Sequence, residues 1–377
     1  MAGRLDMKAF TIHIFALFFL FSPSSGAQSL EKYRILFKGG LIQTMITSDN
    51  GDFLVAAHPD SKIVRIYDAQ NLSVRKTYAI PADIPITFGN ETYPNIGQPA
   101  ELSLYHDRYL SVTCYGGYIV HIDLNTDKIR WYKTSGSGNK ENMFGWTGGY
   151  LRANQIFIHN DELKQIWYVN PITDVVSGPF PFEDDPSQMV EGHYVNVKFD
   201  VPKFIDIEVK NFRTQNSIAK FKITDLNPND KYNFSSLLSS DNKYLIVNLY
   251  TSIRVYNLIS KERIFYKSRT KSCPPNIFFS NSLVGFGGSF DDQLSVYNIE
   301  TNKFLGKLHI SDYASQVAAN KTHLFLFRSM KVENQFVYIL GSIPLNEILN
   351  NPSEYSVDVF KKFEGKSMTE LKLLEQD

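Results

Sequence analysis

Six times along the chain, a run of alternating apolar residues ends on Asp or Asn, followed by Ser or Thr and a further alternating run. The copies are Ile66-Tyr67-Asp68 with Ser73 behind it, Ile122-Asp123-Leu124-Asn125-Thr126, Tyr168-Val169-Asn170-Pro171-Ile172-Thr173, Val209-Lys210-Asn211-Phe212-Arg213-Thr214, Val255-Tyr256-Asn257-Leu258-Ile259-Ser260 and Val296-Tyr297-Asn298-Ile299-Glu300-Thr301. A degenerate seventh copy is Ile339-Leu340-Gly341-Ser342. Alternation of period two predicts strands. The Asp or Asn oxygen accepts a backbone N–H two or three residues on, so each copy predicts a tight hairpin turn. Upstream of each copy lies a second strand rich in β-branched and aromatic residues, at 53–57, 109–114, 156–159, 194–199, 244–249, 283–286 and 324–327. Successive copies stand about 45 residues apart, room for four short strands per unit.

The first 27 residues follow a different rule. Arg4 and Lys8 precede an apolar run at 9–21, and Ser22, Pro23, Ser24, Ser25, Gly26 and Ala27 close the segment. That layout predicts a secretory signal peptide cleaved after Ala27. The run is shorter than the roughly 20 residues that span a bilayer, and no second run of spanning length follows. The expected location is extracellular or the lumen of the secretory pathway, with no membrane span after the signal is removed. On that route the Asn-x-Ser/Thr triplets at Asn71, Asn90, Asn233 and Asn320 are candidate glycosylation sites.

Composition narrows the class. With 28 Phe and 21 Tyr among 377 residues the chain is too aromatic to be disordered. The 39 basic side chains balance 39 acidic ones, so no electrostatic footprint for nucleic acid exists. Two cysteines exclude a disulfide framework. Cys114 and Cys273 fall in the second and sixth repeats, which are not neighbours on a ring of seven, so they are not expected to bond to each other.

The repeat resembles that of the WD40/YVTN-like β-propeller superfamily over residues 33–362, with copies ending in Tyr-Asn, Tyr-Asp or a relative instead of a strict Trp-Asp. The resemblance implies an all-β, seven-bladed β-propeller of four-stranded blades. The expected organisation is signal peptide at 1–27, propeller at 28–362 and a C-terminal tail at 363–377. Residues 33–37 have no local partner and are expected to close the ring as the outer strand of the last blade, with 355–360 the competing segment for that place.

No chemistry-bearing motif emerges. The histidines lack zinc-ligand spacing, no Gly-x-Ser-x-Gly is present, and 135–140 is Gly-Ser-rich without the full phosphate loop. No cofactor, metal or catalytic residue is assigned, and enzymatic activity is left open. The favoured function is a rigid platform for a protein or glycan partner, acting as a monomer; the alternative is a propeller-type hydrolase or lyase with its site at the mouth of the axial channel. Recognition is expected on three long connections, at 80–100, 134–145 and 178–187. Phe88, Tyr93, Trp146 and Phe182 would be aromatic anchors, with Glu183, Asp184 and Asp185 as a polar rim.

Overall fold

A computed structural model describes residues 32–37, 39–48, 50–81, 86–88, 91–93, 98–114, 118–133, 149–152, 155–160, 165–170, 173, 175–181, 186–190, 193–211, 214, 216–231, 234–239, 242–268, 275–280, 282–288, 293–309, 316–350 and 360–374. After β1 (Lys32–Leu36), a first antiparallel sheet is built from β2 (Thr44–Thr47), β3 (Phe53–His58), β4 (Ile63–Asp68) and β5 (Val74–Ala79). A short hairpin of β6 (Ile86–Phe88) and β7 (Glu91–Tyr93) intervenes before the second sheet. That sheet comprises β8 (Pro99–Tyr105), β9 (Tyr109–Cys114), β10 (Tyr118–Asp123) and β11 (Lys128–Lys133). The third holds β12 (Gly149–Arg152), β13 (Gln155–Asn160), β14 (Gln165–Asn170) and β15 (Val175–Pro181), and the fourth β16 (Pro186–Val190), β17 (His193–Asp200), β18 (Phe204–Asn211) and β19 (Ser217–Ile223). The fifth runs through β20 (Ser235–Leu238), β21 (Tyr244–Asn248), β22 (Ser252–Asn257) and β23 (Glu262–Ser268). The sixth runs through β24 (Pro275–Ser280), β25 (Leu283–Gly288), β26 (Gln293–Asn298) and β27 (Lys303–His309). The seventh is β28 (Gln316–Ala319), β29 (His323–Val332) and β30 (Gln335–Pro344), with β1 completing it in register from Lys32 opposite Ser342 to Leu36 opposite Tyr338. Two short helices follow, α1 (Leu345–Asn350) and α2 (Met368–Leu374).

The repeated Asp or Asn closes the turn between the third and fourth strands of each of the first six sheets. Asp68 Oδ1 accepts from Gln70 N and Asn71 N, Asp123 Oδ1 from Asn125 N, Asn170 Oδ1 from Thr173 N and Asn211 Oδ1 from Thr214 N. Asn257 Oδ1 accepts from Ile259 N and Ser260 N, and Asn298 Oδ1 from Thr301 N. Four residues after the Asp or Asn the backbone turns left-handed, at Leu72 (φ 59°), Asp127 (φ 58°), Lys261 (φ 60°) and Asn302 (φ 51°). The register shifts by a bulge beside several of these turns, as at Val255/Tyr256 and Val296/Tyr297. The seventh copy is degenerate because it has no such turn to make. β30 runs straight through it, the outer strand arrives from the N-terminus, and Gly341 leaves space for the Tyr33 ring, 3.1 Å from where a Cβ would stand.

Second strands are buried on both faces, as over all six residues of β3, whereas outer strands such as β5 expose nearly every side chain. The core is divided among the sheet-to-sheet junctions. Val55 and Ile66 of the first sheet meet Val112 and Ile122 of the second, while Leu54 and Tyr67 meet Phe325 and Leu340 of the seventh. Matching clusters join the fourth sheet to the fifth (Ile207 with Val247), the fifth to the sixth (Val255 with Val284) and the sixth to the seventh (Val296 with Leu326). β12 lies beside β8 and β9, which joins the third sheet to the second.

The chain does not leave this body at residue 362, the boundary expected for the tail. Phe360, Phe363 and Leu371 are buried in the same cluster as Ile35 and Ile339, with the Tyr33 ring edge-on to Phe360 and Phe363 at 6.2 and 5.2 Å. α2 begins with a capping box, Glu370 N donating to Ser367 Oγ at 3.3 Å and Ser367 N to Glu370 Oε2 at 2.7 Å. Two of the expected connections are reshaped. The stretch 80–100 contains the β6–β7 hairpin and the start of β8, and 178–187 shrinks to 182–185 because β15 reaches Pro181 and β16 opens at Pro186. A Pro at a strand's first residue forgoes no ladder bond there, which is why 186 starts a strand instead of extending a loop.

Candidate functional site

Of the residues expected to recognise a partner, the structure places Phe88 and Tyr93 on one hairpin, with Phe88 opposite Glu91 and Ile86 opposite Tyr93. Trp146, Phe182, Glu183, Asp184 and Asp185 lie outside the described residues, as do Asn90, Asn233 and Cys273. Asn71 is exposed in the first-sheet turn, its Oδ1 accepting from Ser73 N. Asn320 is buried, its Oδ1 accepting from Thr322 N and His323 N and its Nδ2 donating to Gly51 O. Cys114 is buried, its Sγ 3.7 Å from Val112 O.

A signal for the hairpin was present in the sequence. Gly89-Asn90 stands between Ile86-Thr87-Phe88 and Glu91-Thr92-Tyr93, and a two-residue Gly-Asn link flanked by β-formers is a hairpin signature.

A second site lies on the second sheet. The β8–β9 turn passes through His106 and Asp107, both left-handed (φ 50° and 51°), and delivers Arg108 to the side of Asp123 on β10. The guanidinium grips the carboxylate with both arms, Nε to Oδ1 at 3.0 Å and Nη2 to Oδ2 at 2.9 Å. That fork, together with the turn amides, holds the Asp123 carboxyl well below the usual carboxylate range. Alternation on β10 sends Val120 and Ile122 into the junction with the first sheet and leaves His121 and Asp123 on the opposite face. His121 stacks on Tyr109 at 5.7 Å, Arg108 lies 4.7 Å over that Tyr109 ring, and Arg130 pairs across from His121.

Arg108, Tyr109, His121, Asp123, Thr126, Lys128 and Arg130 line a cleft of about 610 Å³. His121 is 3% exposed, and its Nδ1 has no hydrogen-bond partner among the described residues. Burial lowers its pKa to about 4, with Asp123 opposing and Arg130 adding to the effect, so the ring is neutral near pH 7. Among the described lining residues, Arg108 and Lys128 flank the Asp123 carboxylate, an arrangement suited to anions.

The repeat exposes His121 as an outlier. Two residues before the turn Asp or Asn, the other copies carry Ile66, Tyr168, Val209, Val255 and Val296. Ile66, Val209, Val255 and Val296 are buried core residues. Sequence reading by motif missed this position, and aligning the repeats against one another would have found it. The buried Arg254 contrasts with it. Its guanidinium is met by Ser252 Oγ, Asp225 Oδ1 and Asp225 O, which makes it a structural strut between strand and loop.

No protein-family model and no curated protein sequence matches the chain. Solved structures do. The β-propeller domain of Cps50 (Swd1) from Myceliophteria thermophila superposes with a TM-score of 0.53 at 14% identity, over 81% of this chain and 98% of that one. Hydrazine synthase from Kuenenia stuttgartiensis gives 0.52 at 10% identity, over 77% and 92%. At such identities the likeness speaks for the fold alone. Four-stranded antiparallel sheets repeated along the chain are the fold of the β-propellers.

Proposed function

We propose that the molecule is a secreted, monomeric, seven-bladed propeller that serves as a rigid platform for a protein partner. The ring reading is supported by the junction clusters, which link sheets four, five, six, seven, one and two in order, with β12 carrying the third beside the second. Sheets three and four then remain to meet, and closure between them completes a ring. Secretion rests on the layout of residues 1–27. Among the described residues no helix is long and apolar enough to cross a membrane.

The observation that carries the platform reading is the β6–β7 hairpin. It stands outside the seven sheets, between the first and the second, and holds two of the four expected aromatic anchors. An insertion that adds no strand to any sheet is free to recognise without weakening the scaffold. The test is expression of the full chain in a eukaryotic secretory host. The protein is expected in the medium without its first 27 residues, and proximity crosslinking there is expected to yield a partner that Phe88→Ala with Tyr93→Ala loses at an unchanged melting temperature. Retention inside the cell with the leader uncleaved would overturn secretion, and undiminished crosslinking by the double variant would overturn the hairpin as the recognition element.

A further inference from the structure

We propose that the cleft on the second sheet is a binding site for a small organic anion, a carboxylate or phosphate ester carrying an apolar or aromatic body. This site is separate from the β6–β7 hairpin and independent of the partner proposed for it. Three features carry the inference. Among the described residues the lining carries Lys128 beyond the Arg108–Asp123 pair, a cation in excess of the carboxylate. A buried, neutral imidazole presents an Nδ1 with no partner among the described residues, where four other repeats bury an aliphatic side chain. A purely structural role would be served by Ile or Val, as it is at Ile66 or Val255, without leaving a buried polar atom unsatisfied. The volume of about 610 Å³ suits a small ligand and not a polymer.

Arg108 and Asp123 act as a positioning pair. Asp123 is held by the turn amide of Asn125 and by Arg108, so the guanidinium is fixed beside Tyr109, and an incoming anion meets it without having to order it first. Lys128, on the neighbouring strand opposite Asp123, supplies a solvent-exposed charge. The neutral His121 ring supplies one N–H donor and one acceptor, and so orients the ligand without adding charge.

The experiment is calorimetric titration of the secreted full chain with phenyl phosphate, with benzoate and with neutral benzyl alcohol. Saturable binding of at least one anion, at least tenfold tighter than benzyl alcohol, is expected, and the stronger of the two identifies phosphate ester or carboxylate as the natural head group. Lys128→Gln is expected to weaken the anion at least fivefold. His121→Val, which installs the residue found at the same place in other repeats, is expected to weaken it similarly while the unfolding midpoint is kept or raised. Failure of both anions to bind, equal binding of the alcohol, or unchanged affinity in Lys128→Gln would overturn the proposal. Lys128 is exposed, so that variant remains informative even where His121→Val does not fold.

Discussion

At the residue scale, the turn Asp or Asn was legible because its work is local: an oxygen, an amide two or three residues on, and no need of the rest of the chain. The left-handed position four residues along was not legible, because its occupants, Leu72, Asp127, Lys261 and Asn302, share no chemistry. Each bears a Cβ in a conformation that costs a non-glycine residue roughly 1–2 kcal/mol, against the roughly 0.5–1 kcal/mol of extra chain entropy that glycine would lose. Lys261→Gly should therefore stabilise the protein by about 0.5–1 kcal/mol, read as a higher urea midpoint. Leu72→Gly should do the reverse by about 2–5 kcal/mol, since Leu72 is fully buried and its removal opens a cavity. The buried histidines set a pH limit. His58, within 3.0 Å of Tyr67 Oη, and His121 both have pKa values lowered to about 4, chiefly by burial. Between pH 6.5 and 4 the unfolded chain takes up protons that the folded rings refuse. Acidification therefore costs the folded state up to roughly 3 kcal/mol per ring as pH falls from 6.5 toward 4, a cost absent above pH 6.5. Urea midpoints at pH 7 and pH 4.5 should differ accordingly, and His121→Val should shrink the difference; an equal drop in the variant would refute the assignment to His121.

At the element scale, strands two to four of each sheet were legible from alternation, and the pairing of β1 with β30 followed from counting edges: one strand without a local partner and one sheet short of a strand. The C-terminal segment was not read as part of the fold. Its buried residues, Phe363 and Leu371, stand eight apart and show no period by themselves, although Ser367-Met368-Thr369-Glu370 spells a capping box. β1 is the element on which the seventh sheet depends. It covers the edge of β30, gives Ile35 to one core cluster and Leu36 to another, and offers Tyr33 to the C-terminal aromatics. A chain beginning at residue 38 should therefore lose cooperative unfolding and aggregate through the bared β30 edge. A synthetic peptide of residues 28–40 added during refolding should restore a single urea transition. A truncated chain that melts like the full one would show that β1 is dispensable.

At the scale of the whole molecule, the balanced charge conceals a partition. Several outer strands are basic, with Arg75 and Lys76 on β5, Lys220 and Lys222 on β19, Arg263 and Lys267 on β23 and Lys303 and Lys307 on β27, all exposed, while acidic side chains such as Asp68, Asp123 and Asp127 sit in the turns. Charged side chains on an exposed sheet edge oppose pairing with a second copy, because joining two such edges would bring like charges together. The same partition explains why composition could exclude a nucleic-acid binder yet gave no hint of a local cationic cleft: a net charge of zero averages over surfaces that differ in sign. Edge repulsion and ring closure make a joint prediction for the molecule in solution. A monomeric closed ring of this length should have a radius of gyration of about 20 Å, following the scaling of compact domains. An arc left open between the third and fourth sheets would be larger at the same mass, and association through outer strands would raise mass and radius together. Small-angle scattering with in-line mass measurement separates the three cases, and raising the salt concentration distinguishes the last further. Screening over about 8 Å at 0.15 M ionic strength shortens to about 3 Å at 1 M, so any edge pairing held back by charge should appear only at high salt.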